Sequence, residues 1–139
     1  MKTPFAKGKR SNVFLENNII IKQIKKDTQA KNALLFEAQF LKILNKHNIG
    51  PKLLSATPTE IHMQYIDGIR IGDYLQQAPK NKIKKTLLQI FNQLRTLDKL
   101  NINKFELTNP YKHIIITKKG PVLIDFERCR HTQHPKNIS

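Results

Sequence analysis

Acid is scarce in this sequence: 10 Asp and Glu stand against 25 Lys and Arg, leaving a formal net charge of +15. Such a field draws polyanions, whether nucleic acid, nucleotides or acidic membranes, and composition alone does not choose among them. The excess is spread along amphipathic segments such as Lys80-Asn81-Lys82-Ile83-Lys84-Lys85, so a solvated face is the plainer reading of any one cluster. Long apolar runs are missing, which excludes a membrane span, and Met1-Lys2-Thr3-Pro4 begins no signal peptide. A single cysteine, Cys129, excludes an internal disulfide and fits a reducing cytoplasm, where this chain is expected. Internal repeats, CxxC pairs and zinc-ligand spacings are absent, and the five histidines are scattered as surface residues are. What remains is a chain of 139 residues with 39% hydrophobic content, enough for a globular core in one domain or in two small lobes sharing a cleft.

The most informative stretch is Val122-Leu123-Ile124-Asp125-Phe126-Glu127, where strand-forming residues run directly into an acid. A carboxylate at the mouth of a buried strand is desolvated and needs a cation or several donors beside it. Upstream, His113-Ile114-Ile115-Ile116-Thr117 reads as a second strand, joined through Lys118-Lys119-Gly120, with Gly120 supplying a positive φ. The pair forms a hairpin with Asp125 at one end and His113 close to that end. An ordinary hairpin with a capping Asp is the plainer alternative.

Near the front, small residues at Ala6, Gly8 and Ser11 are interleaved with Lys7, Lys9 and Arg10 before Val13 resumes a strand. Small residues let a backbone approach phosphate closely, although a basic surface turn accounts for the same pattern. After a turn at Glu16-Asn17-Asn18, the run Ile19-Ile20-Ile21 closes on Lys22, which either points inward and needs a partner or is the first solvent-facing residue. A helix is predicted over 30–46. At 100° per residue, Ala33, Leu34, Phe40, Leu41 and Leu44 lie within about 60° of Glu37. Glu37 therefore sits mid-stripe, where a lone carboxylate is costly, and Lys22 on the preceding strand is the natural cation. A Glu displaced to the stripe's margin is the alternative.

Asn48-Ile49-Gly50-Pro51 ends this helix, and 52–56 and 60–66 read as an antiparallel strand pair. Asp67-Gly68 marks the expected lobe boundary. A short helix begins at Ile71, and a longer one over 81–100 carries Ile83, Leu87, Leu88, Phe91, Leu94 and Leu97 as its expected core face. The lysine-rich start of that helix opposes its dipole and invites an anion. Lys104-Phe105-Glu106 and Asn109 then lead into the hairpin, and the tail over 131–139 is polar and aperiodic, expected either to pack back as an extended segment or to stay mobile.

In order, these pieces resemble a pared-down protein kinase, and specifically the small predicted serine/threonine kinases of archaea and bacteria related to the RIO and lipopolysaccharide-kinase group. The resemblance covers nearly the whole chain. It rests on Gly8-Lys9-Arg10-Ser11-Asn12-Val13, Ile19-Ile20-Ile21-Lys22, Glu37, Ile49-Gly50-Pro51-Lys52, Pro110-Tyr111-Lys112-His113-Ile114-Ile115, Ile124-Asp125-Phe126-Glu127-Arg128 and the ending Pro135-Lys136-Asn137-Ile138-Ser139. It implies an α+β, minimal two-lobed kinase-like fold, with an N-lobe over 1–67 and a reduced, truncated C-lobe over 68–139. It further implies ATP and magnesium as cofactors. Lys22 would bind α/β-phosphate oxygens, Glu37 would orient it, and Asp125 would hold the metal. Gly8, Lys9, Ser11 and Val13 would close over the phosphates, and Met63, Gln64, Tyr65 and Ile66 would receive adenine.

The departures are as specific as the matches. Lys104-Phe105-Glu106 stands in place of the His-Arg-Asp triplet, leaving Glu106 as the base. His113 occupies the position of the metal-binding Asn, with Asn109 as a substitute, and Glu127 replaces the glycine of Asp-Phe-Gly. The activation segment and peptide-binding helices of ordinary protein kinases are missing, so docking of an extended peptide is not expected. The leading expectation is a phosphotransferase moving the γ-phosphoryl group to an unidentified hydroxyl. The alternative is a nucleotide-binding pseudokinase, and a third class is a nucleic-acid-associated factor using the basic surface.

Overall fold

The computed structural model describes residues 3–7, 11–25, 28–104, 113–126, 129–135 and 137. It resolves into two compact units, Met1–Tyr65 and Ile66–Ser139.

The first unit is an antiparallel five-stranded sheet in the order β1-β2-β3-β5-β4, with one helix. Its strands are β1 (Thr3–Lys7), β2 (Ser11–Glu16), β3 (Ile19–Ile24), β4 (Leu53–Ala56) and β5 (Glu60–Gln64), and α1 spans Thr28–Asn45 between β3 and β4. Asn17 and Asn18, at φ 51° and 63°, make the two-residue turn between β2 and β3. Both central positions of such a turn need positive φ, which asparagine tolerates better than most residues, and its twist matches that of the strands it joins. Leu34, Phe40, Leu41 and Leu44 of α1 are buried, as are Ile20 and Ile21 of β3 and Ile61 and Met63 of β5. Behind α1, the Asn45 amide donates to the carbonyls of Ile49 (3.1 Å) and Pro51 (3.0 Å), while its oxygen accepts from the Leu53 amide at 2.8 Å. One side chain thereby satisfies the backbone of the turn that delivers β4.

The second unit holds β6 (Ile69–Arg70), α2 (Ile71–Gln77), α3 (Lys80–Lys99), β7 (Ile102–Lys104), β8 (Ile114–Thr117), β9 (Gly120–Leu123) and β10 (Cys129–His131). Strands β6-β8-β9 form one sheet and β10-β7 another. Gly120, at φ 122°, turns β8 into β9. Gly68 is fixed by space instead: a Cβ there would lie 2.3 Å from the Ile116 carbonyl oxygen. Asn101, at φ 57°, closes the end of α3 before β7 begins.

Two expectations are corrected here. The buried face of α3 is Thr86, Ile90, Leu94 and Leu97, whereas Leu88 and Phe91 are exposed at 56% and 49%. Leu94 and Leu97 of the expected face are buried, and that face extends through Thr86 and Ile90 instead of through Leu88 and Phe91. Ser11 begins β2 and lies in the ladder opposite Ile24, so it belongs to a strand and not to a loop. Residues 129–131 form a strand and Asn137 is buried, so of the two alternatives left open for the tail these residues take the packed one. Cys129, the sole thiol, is fully buried on β10 opposite Lys104.

Candidate functional site

In the first unit, β3 and α1 bring two opposite charges together. Lys22 sits in the ladder between Val13 of β2 and Ile61 of β5. The Lys22 Nζ donates to Glu37 Oε1 at 2.8 Å, with the two side chains 12% and 1% exposed. A carboxylate so completely withdrawn from water is tolerable only with an opposite charge in hydrogen-bond contact. The lysine, the less enclosed member, is a compact point charge with three donors, of which Glu37 engages one. The pair therefore fixes the direction of the ammonium.

The other predicted residues of this unit are placed as follows. Val13 is half-buried directly opposite Lys22 on β2. The Met63 side chain is buried, that of Gln64 is exposed, and Tyr65 is half-buried. The Gln64 amide donates to the Lys52 carbonyl at 2.9 Å and the Tyr65 amide to the Asn18 carbonyl at 3.1 Å. Those two backbone donors are occupied, so an adenine edge read by this segment would draw on its remaining groups. Gly8 and Lys9 lie outside the described residues, as do Glu106 and Asn109.

In the second unit, Asp125 follows β9 by two residues, beyond the strand and not within it. Its φ is 70°, in the left-handed region that non-glycine residues seldom enter. The turn is held from several sides. The Ile124 amide donates to the His113 carbonyl at 2.9 Å, extending the hairpin ladder to the residue before Asp125. Phe126 is fully buried, and its carbonyl accepts from the Cys129 amide at 3.1 Å. The Asp125 carbonyl accepts a short hydrogen bond from Lys104 Nζ. His113 Nδ1 lies 3.9 Å from Asp125 Oδ2, with the side chains 11% and 35% exposed. Half-buried Ile66, the last residue expected at adenine, also belongs to this unit.

Two residues of this unit were not singled out as site residues from the sequence. Lys104 is only 3% exposed and sits with Nζ 4.9 Å from the Phe126 ring centroid. Asn137 presents its oxygen to the Lys104 amide at 2.9 Å, while its nitrogen donates to the Ile102 carbonyl and to Asp98 Oδ1, each at 2.7 Å. Strand alternation carries the signal for Lys104: Ile102 and Lys104 share the buried face of β7, with Asn103 on the other. For Asn137, the signal is only its place in the terminal motif.

Magnesium asks for hard oxygen ligands and is commonly held by one or two carboxylates together with substrate phosphates and water. Asp125 offers one partly exposed carboxylate, and neutral imidazole from His113 is a poor second ligand. Among the described residues no group of three or more His, Cys, Asp and Glu is assembled for a metal. This donor set suits an ion shared with phosphate oxygens, not one enclosed by protein alone.

No family model matches the chain, and no curated protein matches it. Among solved structures, the crystal structure of a Rio2 kinase–ADP/Mg2+–phosphoaspartate complex from Chaetomium thermophilum matches with a TM-score of 0.70 at 16% sequence identity. The match covers 94% of this chain and 48% of that one. The fold is kinase-like. Such a likeness concerns the fold, and this kinase-like chain spans about half the length of the Rio2 chain it matches. Among the described residues, no helix of the kinase-like chain is long and apolar enough to cross a membrane.

Proposed function

We propose that this chain is a small RIO-like phosphotransferase that binds ATP and magnesium and transfers the γ-phosphoryl group to a hydroxyl acceptor. The observation that carries the reading is the Lys22–Glu37 pair at 2.8 Å, built from the third strand and the first helix of a kinase-like fold. In this reading the Lys22 ammonium neutralises α/β-phosphate oxygens and Glu37 keeps it aimed. Asp125 holds magnesium, which when bound offsets the charge that develops on the phosphates. Gly8, Lys9, Ser11 and Val13 approach the phosphates, and the segment from Met63 to Ile66 receives adenine. The acceptor oxygen forms the new bond to phosphorus as the bond to ADP breaks, and the acceptor proton passes to Glu106. Asn109 and His113 are the further groups offered beside Asp125. Such transfer depends mainly on positioning and charge, so an atypical base is compatible with slow turnover.

Thermal shift with ATP, with and without magnesium, paired with an ATP-turnover assay, tests this. Magnesium-dependent stabilisation and turnover that disappears in Asp125→Ala are expected, with Lys22→Met reducing both. No response to ATP under any condition would refute it. Ligand-dependent stabilisation without turnover supports the second reading, a nucleotide-binding pseudokinase, which the imidazole beside Asp125 favours. The strong positive charge also makes RNA a partner worth testing. Affinity for it would fall steeply with salt and be indifferent to Asp125→Ala.

A further inference from the structure

We propose that α3 docks an acidic amphipathic helix of a partner protein, seated along the flank that carries Lys80, Lys84, Leu87 and Phe91. This docking is independent of the nucleotide reading.

The lysine-rich start of α3 is a feature that phosphoryl transfer leaves unused. Pro79 at the N-cap makes no side-chain hydrogen bond, and the first turn holds no acid. A helix N-terminus carries partial positive charge and leaves its first amides without intrahelical acceptors. Lys80, Lys82, Lys84 and Lys85 add to that charge. The sole acid of α3, Asp98, stands at the far end of the helix, where it accepts from the Asn137 side chain at 2.7 Å.

Beside these lysines runs a groove of about 340 Å³, lined by Lys80, Ile83, Lys84, Leu87, Leu88 and Phe91. The lining positions recur every three or four residues over about three turns, forming a stripe that flanks the face buried through Thr86, Ile90, Leu94 and Leu97. Such a stripe is what a second helix packs against, its side chains entering the spaces between those of the first. The stripe is also divided along its length. The ammonium groups lie toward the N-terminus, and Leu88 and Phe91, 56% and 49% exposed, lie toward the other end. A complementary helix therefore carries carboxylates where it faces Lys80 and Lys84, and bulky apolar side chains where it faces Leu87, Leu88 and Phe91.

Other occupants match this surface less well. A second copy of the chain would set one net charge of +15 against another, and like charges oppose association. RNA would answer the lysines, but single strands are held by stacking on aromatic rings, and Phe91 is the one aromatic residue lining an otherwise aliphatic floor. A helix lying on an anionic bilayer buries its main apolar face in lipid, whereas the main apolar face of α3 is buried within its own unit.

The test is titration of a fluorescent, helix-forming synthetic peptide into the full chain. The peptide has glutamates near one end and Leu and Phe at three- and four-residue spacing toward the other. A peptide with lysines in place of the glutamates, a polyuridine strand and phosphatidylserine vesicles are titrated in parallel. The acidic peptide is expected to bind saturably and the lysine peptide not to bind. Phe91→Ala and Lys84→Glu, at exposed positions that leave the core intact, should each weaken the acidic peptide by about 10-fold or more. Lys84→Glu should in turn gain affinity for the lysine peptide. An acidic peptide that does not bind, or that binds Phe91→Ala as tightly as the unmodified protein, overturns the proposal. Binding of polyuridine or vesicles that exceeds that of the peptide and is lost in Phe91→Ala also overturns it, as does self-association of the unmodified protein that Phe91→Ala abolishes.

A second measurement needs no variant. In backbone-amide NMR of the unmodified protein, the acidic peptide should shift the signals of residues 80–91 and leave those of β3 in place. Shifts that spare residues 80–91 overturn the proposal even where the peptide binds.

Discussion

The two units stabilise buried charge by different means. In the first, an anion and a cation meet side chain to side chain, and Glu37 is the more deeply enclosed of the two. In the second, a buried lysine is set against a main-chain carbonyl and an aromatic ring, while the nearby Asp125 carboxylate stays 35% exposed. One arrangement fixes where a side chain points. The other meets a main-chain carbonyl, at a residue held at φ 70°. Charge substitutions should therefore damage the first unit through desolvation and the second through geometry.

The largest contrast is expected within the ion pair itself. Lys22→Met takes the cation from Glu37 at 1% exposure and should cost about 3–5 kcal/mol in urea unfolding. Glu37→Gln should cost less, because the more accessible lysine can turn toward water. The double replacement Lys22→Met/Glu37→Leu should recover most of the loss and still bind nucleotide poorly. If the double variant is as unstable as Lys22→Met alone, desolvation is not the source of the cost.

Asn137→Ala comes next. It strips partners from the Lys104 amide, the Ile102 carbonyl and Asp98, and should destabilise by about 2–3 kcal/mol. Hydrogen exchange should be faster at Lys104 and Cys129 and unchanged in α1. Asp125→Gly should move in the opposite direction. It relieves the left-handed strain, adding about 1 kcal/mol of stability while abolishing the magnesium effect on nucleotide binding. A lowered melting temperature would contradict the strain argument. Smallest of all is Glu60→Gln, which removes the partly exposed Glu60–His62 pair and should stay within about 0.5 kcal/mol of the unmodified protein.

Local pattern carries far in this chain and stops at identifiable places. The strand carrying Lys22, the helix with Glu37 mid-stripe and the hairpin around Gly120 are all visible in sequence, although that strand runs on to Ile24 instead of closing at Lys22. From Glu37 alone, the cost of a buried carboxylate predicts a cation, and the structure supplies Lys22. What stays hidden is pairing over distance. Strands β7 and β10 are each only three residues long and far apart in sequence, so neither offers a period to read. The same blindness affects one side of α3: Leu94 and Leu97 are buried as expected, but packing against β7 and β9 extends the buried face through Thr86 and Ile90, leaving Leu88 and Phe91 outside. Lys104 escaped notice as a site residue because the hydrogen bond described for its ammonium goes to a main-chain carbonyl, which no sequence motif encodes.

Cys129 gives this arrangement a built-in reporter. Its sulfur belongs to the strand residue opposite Lys104, and its amide closes the turn that begins at Phe126. A thiol reagent can react only when that corner opens, so the labelling rate measures the opening directly, without an introduced probe. With one cysteine in the chain, every labelling event comes from this corner of the molecule.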